Sequence, residues 1–282
     1  MSKKYRVIGY PIGHSMSPFI HKELFSLKGF SADYEKQEIA PDMLREEFES
    51  TLKNLDGFNV TIPHKVSIIK YLDRLDGSAA EYGAVNVVAN ENGEYVGYNT
   101  DAYGFLEGLK FSNIALSGKV LVYGFGGAAR TIITECIKAG CEVTIGTAPD
   151  FLKQGTKTVQ ELSEKLGADI KIILGEDIKE KYTLLVNATP VGMYPKVNAM
   201  PLKAEQIDLF DAVYDIVYNP EETLLLKTAK EKGKICGGGL SMLVTQAAKA
   251  HEYFYGAEFS NEEIEATIKN TAKAQEEFFK GE

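Results

Sequence analysis

Within seven residues, the run Asn59-Val-Thr-Ile-Pro-His-Lys65 brings a hydroxyl, an imidazole and an ammonium group to a proline that must end a strand. Phe58, Val60 and Ile62 alternate with Asn59, Thr61 and Pro63, the period of a half-buried strand, and proline cannot extend a sheet ladder. The chain therefore leaves the sheet here. In open parallel sheets, ligands sit outside the carboxyl ends of strands, which makes Thr61, His64 and Lys65 candidate site residues. The plainer reading is a surface lysine that opens the next helix, because most lysines are solvated charges.

A second chemical element is Lys119-Val-Leu-Val-Tyr-Gly124-Phe-Gly126-Gly127-Ala128-Ala129-Arg130, a strand running into Gly-x-Gly-x-x-Ala and then an amphipathic helix. Gly124 permits the tight turn, Gly126 lets backbone approach a pyrophosphate, and Ala129 is small enough for close packing of helix on sheet. The helix amino end offers free N–H groups and a partial positive charge to the phosphates. This order points to dinucleotide binding, with a plain strand-to-helix turn as the alternative. Selectivity between dinucleotides is read about twenty residues past the first glycine, in the window Thr144 to Asp150. An acid there would accept from a ribose 2′-hydroxyl and an arginine would pair with a 2′-phosphate. Gly146, Thr147 and Ala148 provide neither, so the turn leaves the choice open.

The elements that must carry these groups follow from periodicity. Strand-like runs at Tyr5 to Gly9, Asp33 to Ile39 and Gly57 to Ile62 alternate with helices from Ser17 and from Pro41, a βαβαβ series that implies parallel pairing. Two apolar runs between Ala84 and Tyr98 flank Asn92-Gly93, a hairpin signal that makes the first sheet mixed. Thr100 and Asp101 then open a helix to about Lys110, and residues 111–118 read as a connector. A second series follows: the strand ending at Gly124, the helix from Gly127, the strand Glu142 to Gly146, a helix from Thr156, and strands around residues 170–174, 183–188 and 211–217. Helices from about Leu240 and from Ser260 have no strand after them and are expected to return to the first domain.

Bulk properties narrow the function classes. At 282 residues the chain fits about two domains. With 31 Lys+Arg against 40 Asp+Glu, the net charge of −9 disfavours nucleic acid and anionic membranes as bulk partners. Any anionic ligand must then be held by local donors. Cys136, Cys141 and Cys236 lack metal-ligand spacing and suit a reducing, cytoplasmic setting, and no histidine cluster suggests a metal. Gly9, Pro11 and Gly13 interrupt the first apolar run, which argues against a signal peptide, and no apolar stretch is long enough to span a membrane.

Taken in order, GYPIGHSMSP at residues 9–18, NVTIPHK, GAVN at 83–86, GYNTD at 97–101, GFGGAAR at 124–130, NATPVGM at 187–193, DIVYNP at 215–220 and GGLSMLVTQAA at 238–248 make the chain resemble the shikimate dehydrogenase family. The resemblance spans almost the whole chain. It implies an α/β protein of two domains: a mixed substrate domain from residues 1–101 and 240–282, and a Rossmann-type NADP-binding domain from residues 102–239. The activity implied is reversible NADP-dependent reduction of 3-dehydroshikimate to shikimate, in chorismate and aromatic amino acid biosynthesis, by a monomer or homodimer.

By the same resemblance Lys65 and Asp101 are the catalytic pair across the hydroxyl that becomes a ketone. Hydride delivery to a carbonyl carbon builds charge on oxygen, which a nearby ammonium stabilises and can protonate, while a carboxylate orients the lysine. Ser15 and Ser17 correspond to the serines that bind the substrate carboxylate. Thr61, Asn86 and Gln246 correspond to ring-hydroxyl contacts, and Tyr218 to a residue near the carboxylate. Without the resemblance, Asn86 reads as a turn residue, Gln246 as a solvated helix position and Tyr218 as a core aromatic. His14 and His64 read as structural hydrogen-bonders. Gly124, Gly126, Gly127, Ala128, Thr147, Ala188, Thr189 and Gly239 correspond to cofactor contacts, and Gly237 to Gly239 are expected beside the nicotinamide, as a hinge for domain closure.

Three departures stand out. The family often carries Asn-Arg-Thr, with arginine on the NADP phosphate, where this chain has Gly146-Thr147-Ala148, so NAD is admitted as an alternative cofactor. Val87 and Lys22 replace a usual threonine and asparagine at the edges of the substrate pocket. Two other readings remain: a quinate/shikimate dehydrogenase using NAD, against which Ser17 counts, and a catalytically silent cofactor-binding paralogue, against which retention of both Lys65 and Asp101 counts.

Overall fold

The computed structural model describes residues 2–279, which divide into two compact units. One unit runs up to Tyr103 and resumes at Val244; the other is Gly104–Leu243. Both divisions fall inside helices rather than in linkers.

The first unit contains β1 (Lys3–Gly9), α1 (Ser17–Leu27), β2 (Ala32–Glu38), α2 (Leu44–Ser50), β3 (Gly57–Val60), β4 (Arg74–Leu75), α3 (Gly77–Tyr82), β5 (Val87–Glu91) and β6 (Glu94–Tyr98). Its strands form one sheet in the order β2-β1-β3-β5-β6-β4. β1 pairs parallel with both β2 and β3, whereas β3 with β5 and β5 with β6 are antiparallel. The sheet is therefore mixed, as the hairpin signal required. Asn92 and Gly93 both take positive φ, the geometry of a two-residue turn that follows strand twist.

The alternation along β1 and β3 sorts side chains to two cores. Ile8, Phe58 and Val60 pack with Leu44, Phe48 and Leu52 on one face. Tyr5 and Val7 pack with Phe25 and Tyr34 on the other, where Phe254 and Tyr255 close over them. Those last two come from the carboxyl-terminal return of the chain, so the expected discontinuity has a packing reason.

α4 (Asp101–Phe111) leads into the second unit, with β7 (Lys119–Tyr123), α5 (Gly127–Lys138), β8 (Glu142–Thr147), α6 (Leu152–Leu166), β9 (Lys171–Leu174), β10 (Tyr182–Asn187), β11 (Phe210–Asp215), α7 (Leu224–Glu231) and β12 (Ile235–Gly238). α8 (Gly239–Tyr255) then leads back to the first unit, followed by α9 (Asn261–Phe279). The second sheet is wholly parallel in the order β12-β11-β10-β7-β8-β9. Counted from β7, this is the doubly wound order of dinucleotide-binding folds, and the strand order reverses between β7 and β10. Val120, Val122, Leu184 and Val186 face one core, and Leu121, Leu185 and Val213 face the other.

Several expectations need correction. β3 ends at Val60, and Ile62 is 71% exposed instead of continuing the buried face. The reason is the turn: Thr61 N–H donates to Ile8 O and Tyr10 N–H to Ile62 O, so the backbone stays tied to β1 while the side chains leave the core pattern. α2 starts at Leu44 rather than Pro41, and α6 at Leu152 rather than Thr156. β4, α3, α7 and β12 were not expected at all. β12 is a glycine-rich segment whose pairing with β11 supplies an order its own residues do not favour.

Candidate active site

Lys65 and Asp101 meet in the first unit. Lys65 Nζ lies 2.6 Å from Asp101 Oδ2, with the lysine side chain 16% and the aspartate 2% exposed. Lys65 is held from behind: its carbonyl accepts from Val85 N–H at 2.8 Å, while buried His64 puts Nε2 2.7 Å from Ile39 O. A carbonyl only accepts, so Nε2 carries the proton. His64 is thus a structural hydrogen-bonder that ties the turn to Ile39, while Lys65 reaches Asp101.

Asp101 opens α4, where a carboxylate suits the positive end of the helix dipole. Its N–H donates to Asn99 Oδ1 at 2.9 Å, and Asn99 Nδ2 donates to Ala84 O at 2.9 Å. Asn86 Nδ2 donates to Asp101 Oδ1 at 2.9 Å and to Thr100 Oγ1 at 3.0 Å, while its Oδ1 accepts from Thr100 N–H at 2.8 Å. Both amide hydrogens of Asn86 are therefore used within this network. Each carboxylate oxygen has its own donor, an arrangement that keeps a buried charge satisfied. Asn99 is a positioning residue the motif reading passed over; its signal was the asparagine of GYNTD.

The two serines lie in the segment after β1. Ser15 Oγ donates to Ser17 Oγ at 3.1 Å and accepts from Ser17 N–H at 3.3 Å, so both hydroxyls converge at the start of α1. Thr61 follows β3, the parallel neighbour of β1, and its methyl stands where a Cβ on Gly9 would be, 2.5 Å away. Only glycine at the end of β1 allows that approach. Gln246 is half-buried on α8.

In the second unit, the ends of β7 and β10 flank the switch point. Gly124 has φ +112°, and a Cβ there would meet Thr189 Cγ2 at 2.8 Å and Ala188 O at 3.0 Å. Both the turn and the close approach of the two loops demand glycine. Gly126 caps α5, and an added Cβ at Gly126 or Gly127 meets nothing within 4 Å. That open cradle at a helix amino end, beside Ala128, fits a pyrophosphate. Gly239 N–H donates to Val217 O at 3.3 Å, and a Cβ there would strike Ile216 O at 2.1 Å. Gly237 and Gly238 are paired to Tyr214 and Asp215 in β12, so the expected hinge glycines are held in a sheet. Tyr218 is half-buried, and burial raises its hydroxyl pKa.

Thr147 ends β8, buried, with its hydroxyl donating to Ala148 O at 3.3 Å. Exposed Asp150 follows and no arginine stands at this strand end. The residues thus fit the phosphate bridge of a dinucleotide, while the adenosine end has no cation at the strand terminus. Among the described residues no group of three or more His, Cys, Asp or Glu could hold a metal, and no helix is long and apolar enough to cross a membrane.

A doubly wound dinucleotide fold beside a mixed domain that sets a lysine against a carboxylate defines a two-domain dehydrogenase class. Residues 7–88 match the family described as shikimate dehydrogenase substrate binding domain. A Shouchella clausii protein named shikimate dehydrogenase (NADP(+)) is 36% identical over 273 residues, covering 95% of this chain and 98% of that protein. A Geobacillus kaustophilus protein of the same name is 38% identical over 259 residues, covering 91% and 94%. A Thermus thermophilus shikimate 5-dehydrogenase solved with NADP(H) and shikimate superposes with a TM-score of 0.83 at 33% identity, covering 95% of this chain and 99% of that one. The chain belongs to the shikimate dehydrogenase family.

Proposed function

We propose that this protein interconverts 3-dehydroshikimate and shikimate with NADP as hydride carrier. The observation that carries the reading is the Lys65–Asp101 pair, held at 2.6 Å in a nearly closed hydrogen-bond network at the end of a parallel strand. The first unit is then the substrate domain and the second the cofactor domain. Family membership and the relatives named as NADP-dependent shikimate dehydrogenases support it.

The bound dinucleotide supplies or accepts the hydride. Lys65, as the ammonium, stabilises the oxygen on which negative charge develops and delivers the proton that completes the alcohol, leaving as the neutral amine; in the oxidative direction it enters as the neutral amine and takes that proton up. Asp101, through Oδ2, keeps the Lys65 amino group aimed at that oxygen. Asn86 holds the carboxylate by Oδ1, so the pair is preorganised and costs little reorganisation during the reaction. Ser15 and Ser17 bind the substrate carboxylate with neutral donors. By family membership Thr61, Asn86 and Gln246 are assigned to the ring hydroxyls, Asn86 through its Oδ1 because both of its amide hydrogens are already used. Gly124 to Ala128, Thr147, Ala188, Thr189 and Gly239 receive the cofactor.

The test is oxidation of shikimate followed by the absorbance of the reduced cofactor, with quinate in parallel. Turnover of shikimate with NADP+ is expected; turnover of quinate alone, or of neither, would sink the reading.

A further inference from the structure

Asp215 is a buried carboxylate at the end of β11 that the proposed chemistry does not use. Its Oδ1 accepts from Asn187 Nδ2 at 2.9 Å and from Val217 N–H at 3.0 Å, and its Oδ2 accepts from Thr223 Oγ1 at 2.7 Å. It thereby joins the end of β10, the segment after β11 that carries Tyr218, and the amino end of α7.

The bond to Asn187 matters most. An ionised carboxylate only accepts, so it fixes which end of the Asn187 amide faces it. The amide oxygen is then turned toward Thr189, where it accepts from the N–H at 3.2 Å and from Oγ1 at 2.7 Å. The Thr189 hydroxyl in turn accepts from Val191 N–H at 3.2 Å, and Asn187 Nδ2 also donates to Val191 O at 3.2 Å. Every side-chain polar atom of Asn187 and Thr189 is committed, and their direction traces back to one charge.

The turn lies at the switch point, with Thr189 and Ala188 against the position a side chain on Gly124 would need. We infer that Asp215 is a positioning residue for the dinucleotide: by orienting Asn187 it holds the Ala188–Thr189 backbone in the shape that receives the cofactor, and it sets cofactor affinity without touching the cofactor. This rests on the second unit being the cofactor domain. Burial pushes the Asp215 carboxyl up to about 6, so the charge is kept in a site that disfavours it. An asparagine would match the shape but not the constraint, because an amide can present either end to Asn187.

The test compares wild type, Asp215→Asn and Asp215→Ala in direct NADP+ binding by calorimetry, steady-state kinetics with shikimate, and thermal melting. Asp215→Asn is expected to melt no lower than wild type yet to bind NADP+ about tenfold more weakly, the loss from one charge-assisted hydrogen bond, with KM for NADP+ raised in parallel and kcat at saturation retained. Asp215→Ala is expected to bind more weakly still, and if it does not fold, Asp215→Asn decides. Wild-type affinity in Asp215→Asn overturns the inference, as does a fall in melting temperature with unchanged affinity. Failure of wild type to oxidise shikimate would instead count against the proposed substrate, leaving the binding comparison intact.

Discussion

Asn86 donates to Oδ1 of Asp101 at 2.9 Å and so leaves Oδ2 as the oxygen that meets Lys65. A residue from the end of one strand segment thus decides how a carboxylate opening a helix is presented to a lysine thirty-six positions earlier. Each carboxylate oxygen of Asp101 thus has its own side-chain donor.

Replacing Lys65 with Met, or Asp101 with Asn, should lower kcat by about 10² to 10⁴, the range for removing a proton-transfer group, with NADP+ affinity kept. Steady-state rates at saturating shikimate check this. A variant that retains more than half of wild-type turnover would remove the proposed mechanism.

Ser15→Ala and Ser17→Ala should each raise KM for shikimate about tenfold while kcat changes little, since a hydrogen bond to a charged group is worth about 1.5–3 kcal/mol. The double variant should lose less than the product of the two, because Ser15 Oγ and Ser17 Oγ are bonded to each other. Equal KM values for variants and wild type would place the carboxylate elsewhere.

His21 Nδ1 and His251 Nε2 lie 2.9 Å apart in the first unit, both buried, and His251 Nδ1 lies 2.9 Å from the Tyr255 hydroxyl. Burial, and then the neighbouring His251, hold His21 well below the usual histidine range, and burial brings His251 down to about 3. A folded value below the unfolded one means that stability is fully present above about pH 6.5 and is lost as pH falls toward 3. At pH 5 the loss from His251 alone should be about 2 kcal/mol. Urea midpoints at pH 7.5 and 5.0 check this, with His251→Phe expected to narrow the difference between them.

Asp215 predicts the opposite sign. Its folded value of about 6 exceeds that of an unfolded aspartate, so its ionisation costs stability as pH rises from 4 through 6. The cost approaches about 3 kcal/mol, more than the roughly 1 kcal/mol of a lost Thr223 hydrogen bond. Asp215→Asn should therefore resist urea at pH 8 at least as well as wild type, and a lower midpoint would contradict the sign.

At the adenosine end, the absence of an arginine beside Thr147 should keep the kcat/KM advantage of NADP over NAD below about a hundredfold, since a charged contact to the 2′-phosphate would add about 1.5–3 kcal/mol. Rates with both cofactors at saturating shikimate measure it. A preference above a thousandfold would require a phosphate cation from elsewhere in the chain.

Much of this was legible along the chain because its signals are local. The alternation in β1, β3, β7 and β10 sorts side chains to two faces whatever they pack against, and Asn92-Gly93 and the Gly124 turn demand backbone shapes that few residues allow. Ile62 was misread since its alternation matched a strand, while Pro63 and the tie to Ile8 ended the strand earlier. β12 was missed because Cys236-Gly237-Gly238 has little strand preference and becomes a strand only by lying against Tyr214 and Asp215.

The amino-acid sequence by itself determined the two-domain α/β plan and the identity of the chemical groups, for periodicity, turn residues and motif order are properties of neighbouring positions. Only the tertiary structure decided how those groups meet. The family resemblance already paired Lys65 with Asp101, 36 positions apart, but the fold alone brought His21 to His251 and Asp215 to Asn187, pairs separated by 230 and 28 positions. Such contacts arise from the order of strands in a sheet and the return of a distant helix, where burial makes each unsatisfied polar group costly enough to select one partner.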